Sequence, residues 1–237
     1  MSDGVRWYAG GALPLIAILL LIGLAILVIP LLFLGLVGAA FTRLGFSWTA
    51  ALAVVLLMLF GSFVRIPLYT VRREMIRAGH GGFAYDGMNA PASAPVWDTV
   101  ISLNLGGAVI PVLVSLYLLF RASSLVGTAL FTTVAVGIAI VAATAYLATR
   151  SVPGYGIRAP LFIPGLAALL CGLLLNGGTG LPAGVTAFVS GTAGTLIGAG
   201  IARLPAMKDL EVPEVSIGGS GMFGAIFLAC VLSALVA

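Results

Sequence analysis

The feature that most constrains this chain is an uncharged apolar run of 28 residues at 13–40. A helix needs about 20 such residues to cross the hydrocarbon core of a bilayer. The run is also longer than the apolar part of a cleaved signal peptide, which has about 7–15 residues. Several later runs reach the length of a membrane span as well. The pattern therefore predicts a retained membrane helix at the start of the chain and further membrane helices after it.

The overall composition agrees with that interpretation. Of the 237 residues, 61% are hydrophobic and 8% are charged, against about 45–50% and about 25% in soluble domains. The formal net charge is +4, but ten of the eleven basic residues are arginines at the ends of apolar runs. They do not form the basic stripe of a nucleic-acid-binding protein. The composition excludes an ordinary soluble domain, and we expect no nucleic-acid partner.

The apolar runs predict an all-α fold, with one integral membrane domain over residues 1–237 built as a polytopic bundle of seven transmembrane helices. Pro30 lies inside the first run and is expected to bend that helix, because proline removes a backbone donor. The only sizeable hydrophilic connection is a loop at about 71–98. The seven helices are predicted at about 13–41, 48–70, 99–120, 125–148, 159–177, 182–204 and 217–236.

The distribution of lysine and arginine predicts the direction of the helices. If the connections alternate between two sides, one side carries eight basic residues and the other carries two, Arg43 and Arg121. Arg65, near the end of the second predicted helix, can reach the first side. Cytoplasmic loops carry the excess of positive charge, so we expect the N-terminus in the cytoplasm and the C-terminus outside. The eight basic residues are Arg6, Arg72, Arg73, Arg77, Arg150, Arg158, Arg203 and Lys208.

Side chains that usually carry chemistry are scarce. All seven acidic residues fall in termini or connections, so buried carboxylates for proton transfer or intramembrane proteolysis are not expected. His80 is the only histidine, and Cys171 and Cys230 lie inside apolar runs, where cysteine behaves as a small hydrophobe. We therefore expect no metal site, no cofactor and no catalytic residue, and enzymatic activity is disfavoured.

Glycine patterns predict close helix packing. Gly191, Gly194 and Gly198 fall on one face of the sixth predicted helix, and the last two form a GxxxG pair. Such a face allows helix backbones to approach closely in lipid. Gly221 and Gly224, at the start of the seventh predicted helix, offer a second small face. We expect the sixth and seventh helices to pack tightly through these residues.

Two regions interrupted by Gly and Pro contain candidate ligand contacts. Asn104 lies in the first turns of the third predicted helix, shortly before Pro111, and the second region, 151–164, contains Arg158. Paired broken helices of this kind frame substrate sites in transporters. The candidate ligand-binding residues are Asn104 and Arg158, together with Ser190 of the sixth predicted helix. The alternative is that Asn104 only hydrogen-bonds a neighbouring helix, a contact of about 0.6–2 kcal/mol.

Five separated blocks of the sequence stand out, at 61–69, 104–111, 153–164, 190–199 and 216–228. In this order they resemble a bacterial and archaeal membrane family, domain of unknown function 1614. In that family the last two blocks each end in or contain an Asp, where this chain has Gly200 and Gly224. The resemblance implies a membrane fold in the inner membrane of a prokaryote. It also implies that any aspartate-dependent activity of the family is absent here.

These observations leave two functions open. The first is a non-enzymatic accessory subunit that binds membrane lipids or other membrane protein subunits. The second is a transporter of a small solute or lipid, with its site between the third helix and residues 151–164. A degenerate intramembrane hydrolase is a third and weaker interpretation.

Overall fold

The protein is mostly helical, and the computed structural model describes residues 12–74, 96–152, 156–209 and 212–237. Most of the predicted 71–98 loop, including His80, lies outside these ranges. The seven α-helices of the described ranges are α1 (Ala12–Arg43), α2 (Trp48–Gly61), α3 (Ile110–Val126), α4 (Ala129–Ala148), α5 (Ile163–Leu175), α6 (Leu181–Thr195) and α7 (Phe223–Ser233). The strands are β1 (Arg65–Glu74), β2 (Val96–Asn104), β3 (Arg150–Val152), β4 (Gly156–Arg158) and β5 (Glu214–Ile217).

Four of these helical segments are long and apolar enough to cross a membrane, which indicates a membrane protein. They are Leu15–Arg43, Leu105–Val126, Ala129–Ala148 and Leu181–Pro205. The other three helices, α2, α5 and α7, have 14, 13 and 11 residues. At 1.5 Å per residue they are shorter than the hydrocarbon core of a bilayer, about 30 Å. The prediction of seven helices agrees with the structure in number, but these three are shorter than predicted.

The prediction of an all-α chain is wrong at the second helix. It was expected to run to residue 70, but α2 ends at Gly61 and β1 begins at Arg65. The segment after Val64 is rich in β-branched and aromatic residues and contains Pro67. Such residues favour a strand, and proline is unfavourable inside a helix. A short apolar run does not distinguish the two structures by its periodicity.

The third predicted helix is displaced for the same reason. Residues 99–104 belong to β2, a π-helical turn follows at Leu105–Val109, and α3 continues to Val126. Asn104 begins the turn, because its side-chain oxygen accepts a hydrogen bond of 2.7 Å from the Gly107 amide. The strand therefore ends where a side chain caps the helix that follows.

The chain also leaves α6 earlier than predicted. After Thr195 it forms a π-helical turn at Leu196–Gly200 and a 3₁₀ helix at Ile201–Asp209. Residues 217–222, expected to open the seventh helix, instead finish β5 and form a turn before α7.

The long strands form a three-stranded sheet in the order β1–β2–β5. β1 and β2 are antiparallel, with Arg65 opposite Asn104. β2 and β5 are parallel, with Ser102 opposite Ser216. A separate antiparallel pair joins β3 to β4.

The helices run between two ends of a bundle. At the turn end, defined by residues 44–47, 127–128, 176–180 and 234–237, the Gly180 amide donates to the Val236 carbonyl over 2.7 Å, and Arg121 donates to the Gly45 carbonyl. The sheet end, defined by residues 62–74, 96–104, 149–152, 156–162, 201–209 and 212–222, holds both sets of strands. There the Leu105 amide donates to the Val64 carbonyl and the Ala159 amide to the Gly221 carbonyl.

The core is centred on α6, which contacts α3, α4, α5 and α7. Phe188 on α6 is fully buried and meets Phe41 of α1 edge-on, with ring centroids 5.8 Å apart. Edge-to-face pairs of this kind add to the stabilisation from burial. The bundle therefore holds the sheet end in place through a closely packed central helix.

Candidate functional site: an amphipathic sheet

The three-stranded sheet has one polar and one apolar face, because side chains alternate along a strand. In β5, Glu214 and Ser216 alternate with the buried Val215 and Ile217. In β2, Ser102 and Asn104 alternate with Ile101 and Leu103. The sheet therefore presents polar groups to one side and joins the apolar core with the other.

Glu214 is the centre of the polar face. The Ser102 hydroxyl donates to one carboxylate oxygen over 2.6 Å, and an Arg65 guanidinium nitrogen donates to the other over 2.7 Å. The hydrogen bond from Ser102 and the positive charge of Arg65 lower the pKa of Glu214, while partial burial opposes them. The ionised carboxylate is therefore the stable form at neutral pH.

A polar cleft of about 70 Å³ separates this face from β4. Ser216 lines it, and the buried hydroxyl oxygen of Ser216 has no hydrogen-bond partner among the described residues. The space is enough for a small ion or several water molecules, since one water needs roughly 10–15 Å³ of such space. The cleft is lined by Arg65, Gly156, Ile157, Glu214, Val215, Ser216, Ser220 and Gly221.

An apolar groove of about 500 Å³ lies on the other side of the sheet. Its walls come from β1, β2 and β5, from the start of α3, and from the segment that follows α6. Among the described residues that line it, Tyr69 alone has a side-chain polar atom. The groove is lined by Leu68, Tyr69, Leu103, Ala108, Val109, Val112, Leu113, Leu196, Ile201, Leu204 and Ile217.

Asn104, a candidate ligand-binding residue, is 1% exposed and is engaged by the backbone. Its amide nitrogen donates to the Ser62 carbonyl over 2.7 Å, and its oxygen accepts from Gly107. It therefore joins the end of α2 to the start of the π-helical turn.

The other two candidates lie elsewhere. Arg158 is exposed on β4, and Ser190 is fully buried in α6, where its hydroxyl donates to the Ala187 carbonyl over 3.3 Å. Asn104, Arg158 and Ser190 line neither the polar cleft nor the apolar groove. The structure does not bring them together as one site.

The glycines of α6 and of the π-helical turn after it face two different neighbours. A side-chain carbon built at Gly198 would lie 2.1 Å from the Ala142 carbonyl oxygen, and one at Gly194 would lie 2.6 Å from Val141. Both neighbours belong to α4. The nearest atom to such a carbon at Gly191 belongs to Ala229 of α7, at 2.8 Å.

Gly221 and Gly224 do not face α6 by the same measure. A side-chain carbon at Gly221 would lie 1.8 Å from the Ile157 carbonyl oxygen, and one at Gly224 would meet the Leu161 side chain at 2.9 Å. Only a glycine at 221 lets the turn before α7 approach β4 this closely. Gly200 likewise faces Ile217 and Met222.

The described side chains include no group of three His, Cys, Asp or Glu residues placed to hold a metal ion. The residues of the polar cleft were not predicted as a site. Arg65, Ser102 and Glu214 are far apart in sequence and meet only through pairing of β2 with β1 and β5. The two-residue alternation of Glu214-Val215-Ser216-Ile217 was the available signal.

Comparison with known proteins finds the family of this chain but no function. No curated protein and no solved structure matches it. A family model described as protein of unknown function (DUF1614) matches residues 59–236. That range begins near the end of α2 and includes the sheet, the cleft, the groove and every later helix. Because the match covers most of the chain, this protein belongs to the DUF1614 family.

Proposed function

We propose that this protein is a non-enzymatic, multi-pass protein of a prokaryotic inner membrane that binds a membrane lipid in the apolar groove. The groove is the observation that carries the proposal. Its volume of about 500 Å³ is within the range of small-molecule sites, about 300–1,000 Å³. Its lining lacks the several placed polar groups that orient a polar ligand. An acyl chain is the ligand that such a lining suits.

The position of the groove supports a lipid rather than a soluble ligand. Val109 and Leu113 belong to the candidate span Leu105–Val126, and Leu196 belongs to the candidate span Leu181–Pro205. The groove thus opens beside two helices suited to a bilayer. Moving an acyl chain from lipid into it brings little hydrophobic gain, because both surroundings are apolar. Retention therefore depends on shape and on contacts with the headgroup.

The charge distribution supports a cytoplasmic sheet end. Arg65, Arg150, Arg158 and Arg203 lie at the sheet end, whereas Arg43 and Arg121 lie near the turn end. Positive charge is enriched on the cytoplasmic side of membrane proteins. In this orientation the groove faces the inner leaflet.

A matched pair of substitutions on α3 tests the groove. Leu113 lines it and is 59% exposed, whereas Leu116 is 58% exposed and does not line it. Leu113→Trp should fill part of the groove, and Leu116→Trp should add the same bulk to the lipid-facing surface. Native mass spectrometry of gently extracted full-length protein should show co-purified lipid reduced about fivefold or more in Leu113→Trp alone.

Either of two results would contradict lipid binding in the groove. One is lipid retention that is equal in the two variants at equal thermal stability. The other is a stoichiometric complex with a second membrane protein that is lost only in Leu113→Trp, because the groove would then be a subunit interface.

The polar cleft supports a second candidate, passage of a small solute. It lies between the sheet and β4, and two of its lining residues, Gly156 and Ile157, belong to the 151–164 segment of the expected transport site. None of the described residues of the third helix lines it. The unpartnered Ser216 hydroxyl and the Glu214 carboxylate are groups that could coordinate an ion there. The small polar cleft suits an inorganic ion.

Ion flux into proteoliposomes tests this candidate. With potassium, sodium and chloride as probes, a transporter should give flux that falls about tenfold or more in Ser216→Val. Flux no greater than that of protein-free liposomes would exclude the candidate. Flux that is unchanged in Ser216→Val would place the path outside the cleft.

A further inference from the structure

The short hairpin after α4 places two arginines directly opposite each other. Arg150 on β3 pairs with Arg158 on β4, and both side chains are exposed. Directly opposed residues of an antiparallel pair lie about 4.5–5.5 Å apart and project to the same face. The arginine hairpin, defined as Arg150–Val152 with Gly156–Arg158, therefore presents two adjacent positive charges to its surroundings.

Opposed like charges destabilise a strand pair unless something offsets them. The ion pair between Arg65 and Glu214 involves neither hairpin arginine. The inward face of the hairpin is different, because Ile157 is 5% exposed and belongs to the core. The hairpin is thus held by its apolar face and keeps its charges on the outside.

Several buried polar groups near the hairpin also lack a hydrogen-bond partner among the described residues. Thr149 and Ser151 flank Arg150, and both hydroxyl oxygens are buried without a partner among the described residues. Thr149 as a whole is 2% exposed. Arg203, on the 3₁₀ helix that packs against β4, has a buried guanidinium nitrogen that is likewise unpartnered. The junction therefore holds polar groups that the described residues leave unsatisfied, beside two exposed arginines.

The C-terminal end of α4 would by itself repel an anion, because its free carbonyl groups carry partial negative charge. Arg203 offsets this effect. Its guanidinium donates to the Tyr146 carbonyl and lies over the Tyr146 ring, 4.2 Å from the centroid. The end of the helix is therefore covered by a cation next to the hairpin.

We propose that the arginine hairpin binds the phosphate group of an anionic membrane lipid, with Arg150 and Arg158 as its direct contacts. Arginine presents a planar fork of donors that matches phosphate oxygens. The hairpin begins two residues after α4, a candidate membrane span ending at Ala148. It therefore lies where a spanning helix leaves the hydrocarbon, at the level of lipid phosphates. The inference rests on the proposed membrane setting but uses none of the groove residues.

The test uses full-length protein in nanodiscs of phosphatidylcholine with a minor fraction of phosphatidylglycerol. Native mass spectrometry should show phosphatidylglycerol retained in preference to phosphatidylcholine. Arg150→Gln and Arg158→Gln should each weaken that retention about fivefold, because one arginine near a charged lipid surface contributes about that factor. Arg43→Gln, an exposed arginine near the turn end, should change it less than twofold.

Retention of phosphatidylglycerol that is unchanged in both hairpin variants would overturn the proposal, as would an equal loss in Arg43→Gln. Arg150→Lys and Arg158→Lys keep the charge and serve where a glutamine variant does not fold. They should retain phosphatidylglycerol better than phosphatidylcholine but less tightly than the parent protein.

Inorganic phosphate distinguishes a lipid headgroup from a free anion. In detergent, short-chain phosphatidylglycerol should raise the thermal stability of the protein at concentrations where inorganic phosphate does not. Equal stabilisation by the two, lost in Arg150→Gln, would assign the site to free phosphate. Leu113→Trp separates this site from the groove, because this variant should keep the preference for phosphatidylglycerol. If Leu113→Trp loses that preference and the hairpin variants keep it, the hairpin assignment is wrong. The proposal of a lipid site in the groove would not be affected by that result.

Discussion

α1 and α6 are both parts of segments long enough to cross a membrane, yet they relate to the rest of the protein in opposite ways. The best window of Leu15–Arg43 has a mean hydropathy of 3.3 and none of it is buried inside the protein. The corresponding window of Leu181–Pro205 has a mean hydropathy of 1.5 and is 78% buried. The more apolar segment is therefore the one that is not buried inside the protein.

A lipid bilayer as the solvent accounts for this difference. In lipid, apolar surface gains little by leaving the solvent, so helices associate through close packing and hydrogen bonds. α6 consists largely of Gly, Ala, Ser, Thr and Val, and the glycines let it approach α4 at backbone distance. α1 consists largely of Leu and Ile, and only its last turns, around Val37 and Phe41, are buried. Hydropathy thus predicts contact with lipid rather than membership of the core.

The largest effect on stability should come from adding a side chain to a glycine that packs against α4. Gly198→Leu would place its first carbon against the backbone carbonyl of Ala142, which cannot move aside without displacing α4. We expect a loss of more than about 3 kcal/mol, the upper part of the usual range for overpacking, seen as loss of the monodisperse folded species in size-exclusion chromatography. Gly35→Leu on α1 is the control, because a side-chain carbon at Gly35 would meet no atom of another element within 4 Å. It should change the free energy of unfolding by less than about 0.5 kcal/mol. Equal losses in the two variants would break the comparison.

A smaller effect should distinguish the two parts of α1. Phe41 is fully buried against Phe188, whereas Leu27 is 62% exposed. Phe41→Ala should lower the free energy of unfolding by about 3 kcal/mol, because it removes buried contacts and leaves a cavity. Leu27→Ala should cost less than about 0.5 kcal/mol. Thermal melts in one detergent compare the two, and a large loss in Leu27→Ala would show that the exposed part of α1 has a partner.

The smallest expected effect on stability depends on pH and concerns Glu214 of β5, the strand that follows α6 and its 3₁₀ helix. The hydrogen bond from Ser102 and the charge of Arg65 lower the folded pKa of Glu214 below its ordinary value of 4.5. Its contribution to stability is therefore complete above about pH 4.5 and is lost as pH falls through the folded pKa. Since Arg65 is half exposed, we expect about 1 kcal/mol. Melts of the parent and of Glu214→Gln should differ at neutral pH and converge in acid; a constant difference would contradict the assignment.

The sequence predicted the helices best where they are long and uniformly apolar. α1 was expected at 13–41 and runs from Ala12 to Arg43, and the prediction for α4 was wrong by four residues at one end. The sheet was missed because β2 and β5 are separated by more than 100 residues and pair in parallel. A pairing of that kind leaves no local signal.

The candidate site was predicted only in part. Asn104 was selected as a buried amide in need of partners, and the structure supplies them as Ser62 and Gly107. Arg65 was considered only as a residue able to reach the interface. Its ion pair with Glu214 could not be predicted, because the two positions are 149 residues apart.

The sequence by itself determined the apolar composition, the long helices and the family, because the cost of placing a side chain in water or in lipid is a property of that side chain and adds along the chain. Only the tertiary structure decided which helix is central, which faces of the sheet are polar and apolar, and where the cleft, the groove and the paired arginines lie. These features depend on strand register and on backbone approach between distant segments. A contact of that kind belongs to two places in the chain at once, and neither place encodes it alone.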